Sequence, residues 1–256
     1  MKKLIRNLAF IGALAVTSTF AFAGSDNSCN ELPSQAVLKN ALKAARLQSN
    51  GGFNLDMWGT VVNRDGVVCA VAFTGTNRGS QWPGSRVISA QKANTANAFS
   101  LPTLALSTAN LYAAVQPGGS LFGLQHSNPV DTGAAYKGPS QNYGQQNDPL
   151  VGVKIGGVNV FGGGLALYNS DHKLVGAIGV SGDTSCADHN IAWRTRSSLA
   201  LDYVPGGVSA TGDDNINYQG LVLTPSLQED FSHPICKIGG IDGVSAISAG
   251  LLPTRK

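Results

Sequence analysis

The order in which helical and strand patterns follow one another is the feature of this chain that most constrains its fold. Apolar residues at spacings of three and four predict a first helix over residues 33–48. Two runs rich in Val and aromatic residues, 57–62 and 67–73, flank an Arg-Asp-Gly turn and predict a β-hairpin. A second helical pattern covers residues 85–100. A hairpin in this position argues against a Rossmann fold, whose strands are joined by helical crossovers.

The second half of the chain continues this alternation. We expect a short helix over residues 103–114, strands over 151–160, 164–168 and 173–180, and a last helix from about 184 to 199. The order predicts a single α+β domain, in which helices cover an antiparallel sheet mainly on one face.

Two of the predicted helices begin with capping signals. Ser85 is the expected N-cap of the second helix. Ser185-x-x-Asp188 resembles a capping box at the start of the last helix.

The first residues have the composition of a targeting segment. Basic residues precede an apolar run from Leu8 to Phe22, and Ala21 and Ala23 form a small-x-small cleavage signal. This pattern predicts a secretory signal peptide over residues 1–23, and hence an exported protein, periplasmic or secreted. A lone membrane anchor is the alternative, for which the run is short. No later segment has the length of a membrane span.

The predicted mature chain is electrically balanced. The sequence has 18 Lys and Arg residues against 15 Asp and Glu residues. Three of the basic residues lie in the leader, so the mature part carries 15 of each sign. Without a basic surface the chain is not expected to bind nucleic acid.

We divide the chain into three parts. After the leader, residues 24–202 form the predicted α+β domain, with a long loop at 116–148 that is rich in Gly, Pro, Asn and Gln. Residues 203–256 are little periodic and are interpreted as an extension wrapped over the domain.

The four cysteines, Cys29, Cys69, Cys186 and Cys236, all follow the leader. An even number in an exported chain predicts disulfides, and four cysteines allow three pairings. We favour Cys29 with Cys69, which ties the N-terminus to an early strand, and Cys186 with Cys236, which clamps the tail. No C-x-x-C is present, which argues against a thiol-redox motif or a zinc ribbon.

Several stretches together resemble the GlcG/HbpS family, also described as the haem-degrading or DUF336 domain. They are WGTVVNRDGVVCAVAF at 58–73, SAQKANTA at 89–96, GGL at 163–165, GAIGVSG at 176–182, and the helix that contains Asp188. The family usually has a small residue and then Pro where Leu165 stands here.

The resemblance covers about residues 33–200 and implies both a fold and a function. The implied fold is profilin-like, α+β with a central antiparallel sheet. The implied function of an exported member is haem binding connected with iron or redox sensing, in a homo-oligomer.

A chemical interpretation of the same residues leads to an anion site. The amide groups of Ser181 and Gly182 precede a helix N-terminus, a position that binds anions. Lys92 could add a positive charge, which would suit haem propionates or a small organic acid. The structural alternative is that the glycines serve sheet packing, that the loop only caps a helix, and that Lys92 is solvated. The predicted binding residues are Lys92, Gly163, Gly164, Ser181, Gly182 and Asp188, with His126 and His189 as candidate axial ligands of haem.

Catalytic residues are not assigned from the sequence. Gly179-Val180-Ser181-Gly182-Asp183 lacks the last glycine of a nucleophile elbow. His233 precedes a proline in the tail, and no histidine stands in a context typical of a serine hydrolase. Metal ligands are likewise not assigned from the sequence.

The sequence therefore favours an exported, non-enzymatic binder of haem or a related anionic ligand. The alternatives are an enzyme acting on a small organic acid or haem, and an assembly protein with a vestigial pocket.

Overall fold

Four antiparallel strands form the centre of the protein, for which a computed structural model describes residues 29–218, 230–237 and 247–256. The strands are β1 (Trp58–Asn63), β2 (Val68–Phe73), β3 (Gly164–Tyr168) and β4 (Leu174–Ser181). They lie in the order β2-β1-β4-β3, and each neighbouring pair is antiparallel. This sheet with its helices confirms the predicted α+β class.

Three longer helices and two single-turn helices surround the sheet. They are α1 (Gln35–Arg46), α2 (Ser85–Phe99), α3 (Leu124–Ser127), α4 (Thr132–Ala135) and α5 (Ser185–Ser198). Short 3-10 helices lie at Cys29–Glu31, Ala113–Val115 and Ser140–Asn142. Within the described ranges, none of the helices has the length and apolar composition needed to cross a bilayer.

The long helices cover both faces of the sheet, which corrects the expectation of one covered face. Val61 and Ile178 pack in one core cluster with Leu42 of α1 and Ile191 of α5. On the opposite face, Val62 and Ala177 pack with alanines of α2 in a second cluster. Since side chains alternate between the faces of a strand, covering both faces leaves nearly every strand residue buried.

Two predicted elements are not formed. Residues 103–114 make turns and part of a 3-10 helix, because Ser107 and Asn110 bond to each other's backbone amide groups through their side chains. Residues 151–160 make only isolated bridges, and Gly156 and Gly157 have φ values of 61° and 80°, which are incompatible with an extended strand.

The helix starts also differ from the prediction. Gly84, not Ser85, occupies the N-cap of α2 and makes no side-chain cap bond. Thr184 caps α5 by accepting a hydrogen bond from the amide of Ala187. The carboxylate of Asp188 accepts a hydrogen bond of 2.8 Å from the amide of Asp183, the residue before this cap.

Both disulfides have the favoured pairing, Cys29 with Cys69 and Cys186 with Cys236. The second joins the first turn of α5 to residues 230–237 of the tail. The predicted signal peptide lies outside the described residues.

Candidate functional site

A polar cavity of about 300 Å³ lies where β4 ends and α5 begins, facing the first two turns of α2. Its polar lining consists of Ser85, Lys92, Ser181, Asp183, Ser185 and Asp188. The apolar side chains of Trp82, Ile88 and Phe161 complete it. The structure thus brings three predicted site residues together, Lys92, Ser181 and Asp188.

Lys92 does not offer an unpaired charge to this cavity. Its side chain is 1% exposed, and Nζ lies 2.7 Å from Oδ2 of Asp188 and 3.0 Å from the carbonyl oxygen of Val180. Burial lowers the pKa of Lys92, although Asp188 opposes this shift. Burial raises the pKa of Asp188 to about 6, against the influence of Lys92. The solvated alternative is therefore wrong, and the charge of Lys92 is already balanced by a carboxylate of the chain itself.

The amide groups of Asp183 and Thr184, which follow the predicted pair Ser181 and Gly182, are occupied by the chain's own carboxylates. The amide of Asp183 donates to Asp188, and the amide of Thr184 donates to Oδ1 of Asp183 at 2.6 Å. Asp183 also accepts from the amides of Phe53 and Leu55, so it fastens the segment before β1 to this loop. Carboxylates of the chain itself therefore occupy the amide donors next to the predicted anion site.

The predicted glycines allow close backbone packing around the same pair. A Cβ atom at Gly163 would lie 2.4 Å from the carbonyl oxygen of Val180 and 3.3 Å from Nζ of Lys92. At Gly164 it would lie 2.5 Å from the carbonyl oxygen of Lys92, and at Gly182 it would lie 2.3 Å from that of Asp56. These distances support the packing interpretation of the glycines.

Neither of the two candidate haem ligands lines this cavity. His126 is an exposed residue of α3. His189 is buried within α5, and burial with nearby Arg196 lowers its pKa to about 3. Neither ring nitrogen of His189 has a hydrogen bond of normal geometry among the described residues, although the Asn215 side chain interacts with this ring.

Two residues to which the sequence analysis gave no functional role meet beside the cavity. Oγ of Ser185, in the first turn of α5, lies 2.8 Å from Nε2 of His233 in the tail. Nδ1 of His233 lies 2.7 Å from the carbonyl oxygen of Pro234, and the amide of Gly162 donates to Oγ of Ser185 at 2.6 Å. Because a carbonyl only accepts, Nδ1 carries the proton, and Nε2 accepts the hydroxyl proton of Ser185.

The sequence offered no signal for this contact, since 48 residues separate the partners. Cys186, His233 and Cys236 also bring potential metal-ligand atoms within 4.8 Å. This cluster is not a metal site here, because both sulfur atoms belong to the disulfide.

A second, aromatic pocket of about 350 Å³ lies at the other side of the start of α2. Its lining includes Trp58, Arg78, Pro83, Val87, Tyr136 and Tyr143. Arg86, which also lines it, stacks its guanidinium 3.6 Å from the ring centre of Tyr143 and pairs with buried Asp148. Arg78 is exposed and forms no ion pair within the described part of the chain.

Together these features describe a class: an α+β protein with an antiparallel sheet between helices, and with one polar and one aromatic pocket at the two sides of α2. The chain belongs to the family of haem-degrading proteins described as HbpS-like, whose family profile matches residues 34–196. No curated protein matches the sequence.

Two solved structures have a detectable similarity to this chain. The crystal structure of the PduOC:heme complex is 22% identical, with 67% of this chain and 93% of that chain covered and a TM-score of 0.45. The DUF336 protein ORFY of Klebsiella pneumoniae is 24% identical, with 65% and 90% covered and a TM-score of 0.43.

Proposed function

We propose that this protein binds haem or a related planar anionic ligand, and that the aromatic pocket is the binding site. The observation that carries the proposal is a mainly apolar pocket, walled by aromatic rings, with an unpaired arginine at its edge. Membership of the HbpS-like family supports the class of ligand.

The residues of the pocket suit such a ligand chemically. A flat apolar ring system gains free energy by burying its faces against Trp58, Val87 and Pro83. Arg78 would hold a carboxylate at the solvent edge. Tyr136 is 62% exposed at the pocket and carries a hydroxyl, one of the groups that ligate haem iron in proteins. Bound haem would supply a redox-active iron, while these side chains would orient the ring and exclude water from it.

The polar cavity suits an anionic ligand less well. It holds the carboxylates of Asp183 and Asp188 against the single ammonium group of Lys92. A further negative charge would meet net repulsion there, so the alternative of a small organic acid bound at Lys92 has little support.

Titration of the purified protein with hemin tests the proposal through the Soret band. We expect saturable binding at about micromolar concentration, and roughly tenfold weaker binding for Tyr136→Ala, since about 1.4 kcal/mol of contact is lost. Phe122→Ala is the matched control, because Phe122 is also 62% exposed but does not line the pocket. Absence of a Soret shift in the wild type would contradict haem binding.

Charge reversal at the edge of the pocket measures how much the anionic group of the ligand, as distinct from its ring, contributes to binding. Arg78→Glu should weaken hemin binding by about tenfold or more. Lys43→Glu, a charge reversal at an exposed position of α1, should leave the affinity unchanged. Equal loss in both variants would indicate a nonspecific charge effect and would remove Arg78 from the site.

Export and self-association are parts of the same proposal. The two disulfides suit an oxidising compartment, and the family resemblance suggests a homo-oligomer. Cell fractionation and the native mass of the purified protein test these two points. A cytoplasmic, monomeric protein would contradict both.

A further inference from the structure

We propose that Ser185 and His233 form a nucleophile–base pair, which acts on esters at the polar cavity. The pair has the geometry that nucleophilic catalysis requires: a hydroxyl within hydrogen-bond distance of an imidazole, and a third group that orients the imidazole. The orienting group is the carbonyl of Pro234, where many hydrolases use a carboxylate.

The protonation states favour proton transfer from Ser185 to His233. Burial lowers the pKa of His233, with Lys92 as a further cause, so the imidazole is neutral at pH 7 and Nε2 is free to accept. The Gly162 amide occupies a lone pair of the Ser185 oxygen, which leaves the hydroxyl proton directed at His233.

The start of α5 provides donors for the negative charge that develops during attack. The first intrahelical amide bond of α5 runs from Asp188 to Thr184, so the amides of Ser185 and Cys186 precede the hydrogen-bond ladder. The positive end of this helix of 14 residues lies at the nucleophile. Such donors stabilise the oxyanion of acyl transfer.

The covalent disulfide keeps the two partners together. Cys186, next to Ser185, is bonded to Cys236, three residues after His233. The tail segment therefore cannot move away from α5 while the disulfide is intact, and this pre-organises the pair.

The cavity lining defines the class of ester. Trp82 and Phe161 are half exposed and, with Ile88, give the cavity an apolar wall that suits an alkyl or aryl group. Asp183 and the paired Asp188 disfavour an anionic substrate. We therefore expect neutral or cationic esters with an apolar acyl group.

The reaction is an acyl transfer to water that needs no other reactant. Oγ of Ser185 bonds to the ester carbonyl carbon while its proton passes to Nε2 of His233. The C–O bond to the alcohol breaks, and the alcohol leaves with that proton. Water then attacks the acyl-serine, gives one proton to His233, and the carboxylic acid departs as Ser185 recovers its hydrogen.

A fluorophosphonate probe tests the nucleophile in the full, oxidised protein, with p-nitrophenyl butyrate as substrate. We expect one adduct, formed as fluoride leaves, on the peptide that contains Ser185. Ser185→Ala should abolish it and lower hydrolysis about 100-fold or more. Ser170→Ala, at an exposed turn, is the matched control and should keep both. An unlabelled wild type, or unchanged labelling of Ser185→Ala, would overturn the proposal.

His233→Gln distinguishes a base role of His233 from a purely structural role, because glutamine can still hydrogen-bond to Ser185 but cannot take up its proton. A base role predicts about 100-fold slower labelling in a variant that keeps its disulfide and its circular dichroism spectrum. In the wild type, the labelling rate should rise with pH and level off before the ordinary imidazole pKa of 6.5 is reached, because burial lowers the pKa of His233. Wild-type labelling by His233→Gln would show that the contact only joins the tail to α5. The hemin titration uses the other pocket, so its outcome leaves this test unaffected.

Discussion

Three cationic side chains are almost completely buried in the described part of the chain, and each faces a buried carboxylate. The pairs are Arg86 with Asp148, Lys92 with Asp188, and Arg196 with Asp214. Taking charges out of water is costly, and a pair of this kind tolerates loss of one partner poorly. The family motif residues Lys92 and Asp188 therefore have a structural role at the end of β4, whatever ligand the protein binds.

Buried His189 should give the protein a dependence of stability on pH. The imidazole stays neutral in the folded state, with a pKa of about 3, whereas the unfolded chain protonates it below a pKa of about 6.5. The unfolded state then binds more protons, so the free energy of unfolding falls as pH decreases. The loss should be about 1.4 kcal/mol per pH unit below ~6.5, or about 2 kcal/mol at pH 5 relative to pH 7.

Urea unfolding at these two pH values, for wild type and His189→Gln, measures this contribution as a difference. Asp188, with its raised pKa, acts in the opposite sense below pH 6 but is present in both proteins, so its effect cancels. His126→Gln, at an exposed site, should retain the wild-type dependence. Identical pH dependence in His189→Gln and wild type would contradict the assignment.

At the scale of elements, the contact between α2 and β4 organises both pockets. A Cβ atom at Gly179 would lie 1.9 Å from the carbonyl oxygen of Ser89 in α2. The small residues on this side of the helix, Ser89 and Ala93 among them, let its backbone approach the strand. This contact places Lys92 beside Asp188 and sets the position of the helix start between the two pockets.

Gly179→Ala should therefore destabilise the protein by about 1–3 kcal/mol or more, because a helix backbone must shift to accommodate one methyl group. Gly84→Ala is the control: it has φ of −63°, and no atom lies within 4 Å of the added Cβ. It should change stability by less than about 1 kcal/mol. The measurement is the midpoint of urea unfolding, and equal midpoints for the two variants would exclude close packing at Gly179.

At the scale of the whole molecule, described parts of the tail contact the predicted domain at several points. Asp214 pairs with Arg196 of α5 at 2.7 Å, and the carbonyl of Leu252 accepts from Nε1 of Trp193. His233 reaches Ser185 beside the disulfide. The tail therefore supplies a buried carboxylate and a backbone acceptor to α5, and a hydrogen-bond partner to Ser185, which lines the polar cavity.

Asp214→Ala tests this contribution, since it leaves the Arg196 guanidinium buried without its carboxylate. We expect a loss of about 3–5 kcal/mol in the free energy of unfolding. Glu31→Ala breaks the pair with Lys173, in which both side chains are at least half exposed, and should cost less than about 1 kcal/mol. Similar losses of unfolding free energy in both variants would show that Arg196 becomes hydrated or finds another partner when Asp214 is absent.

Patterns of local periodicity were sufficient to predict α1, α2, α5 and all four strands of the sheet. The failures at 103–114 and 151–160 each have a local cause. In the first, polar side chains bond to the local backbone, and in the second, glycines adopt positive φ. The residue types suit a helix in the first segment and a strand in the second. Local side-chain bonds in the first, and the backbone freedom of glycine in the second, favour irregular structure instead.

The sequence by itself determined the α+β class and the family, because periodicity and motif spacing are local properties. The even number of cysteines predicted disulfides but left three pairings possible, and the structure has the favoured one. Only the tertiary structure decided how charges and hydroxyls are partnered: Lys92 with Asp188, Arg196 with Asp214, and Ser185 with His233. Partners distant in the chain meet through packing, and burial strengthens their electrostatic interaction once water is excluded. For that reason the charge of Lys92 is balanced by a carboxylate of the chain itself, while a serine and a tail histidine form a pair that the sequence did not predict.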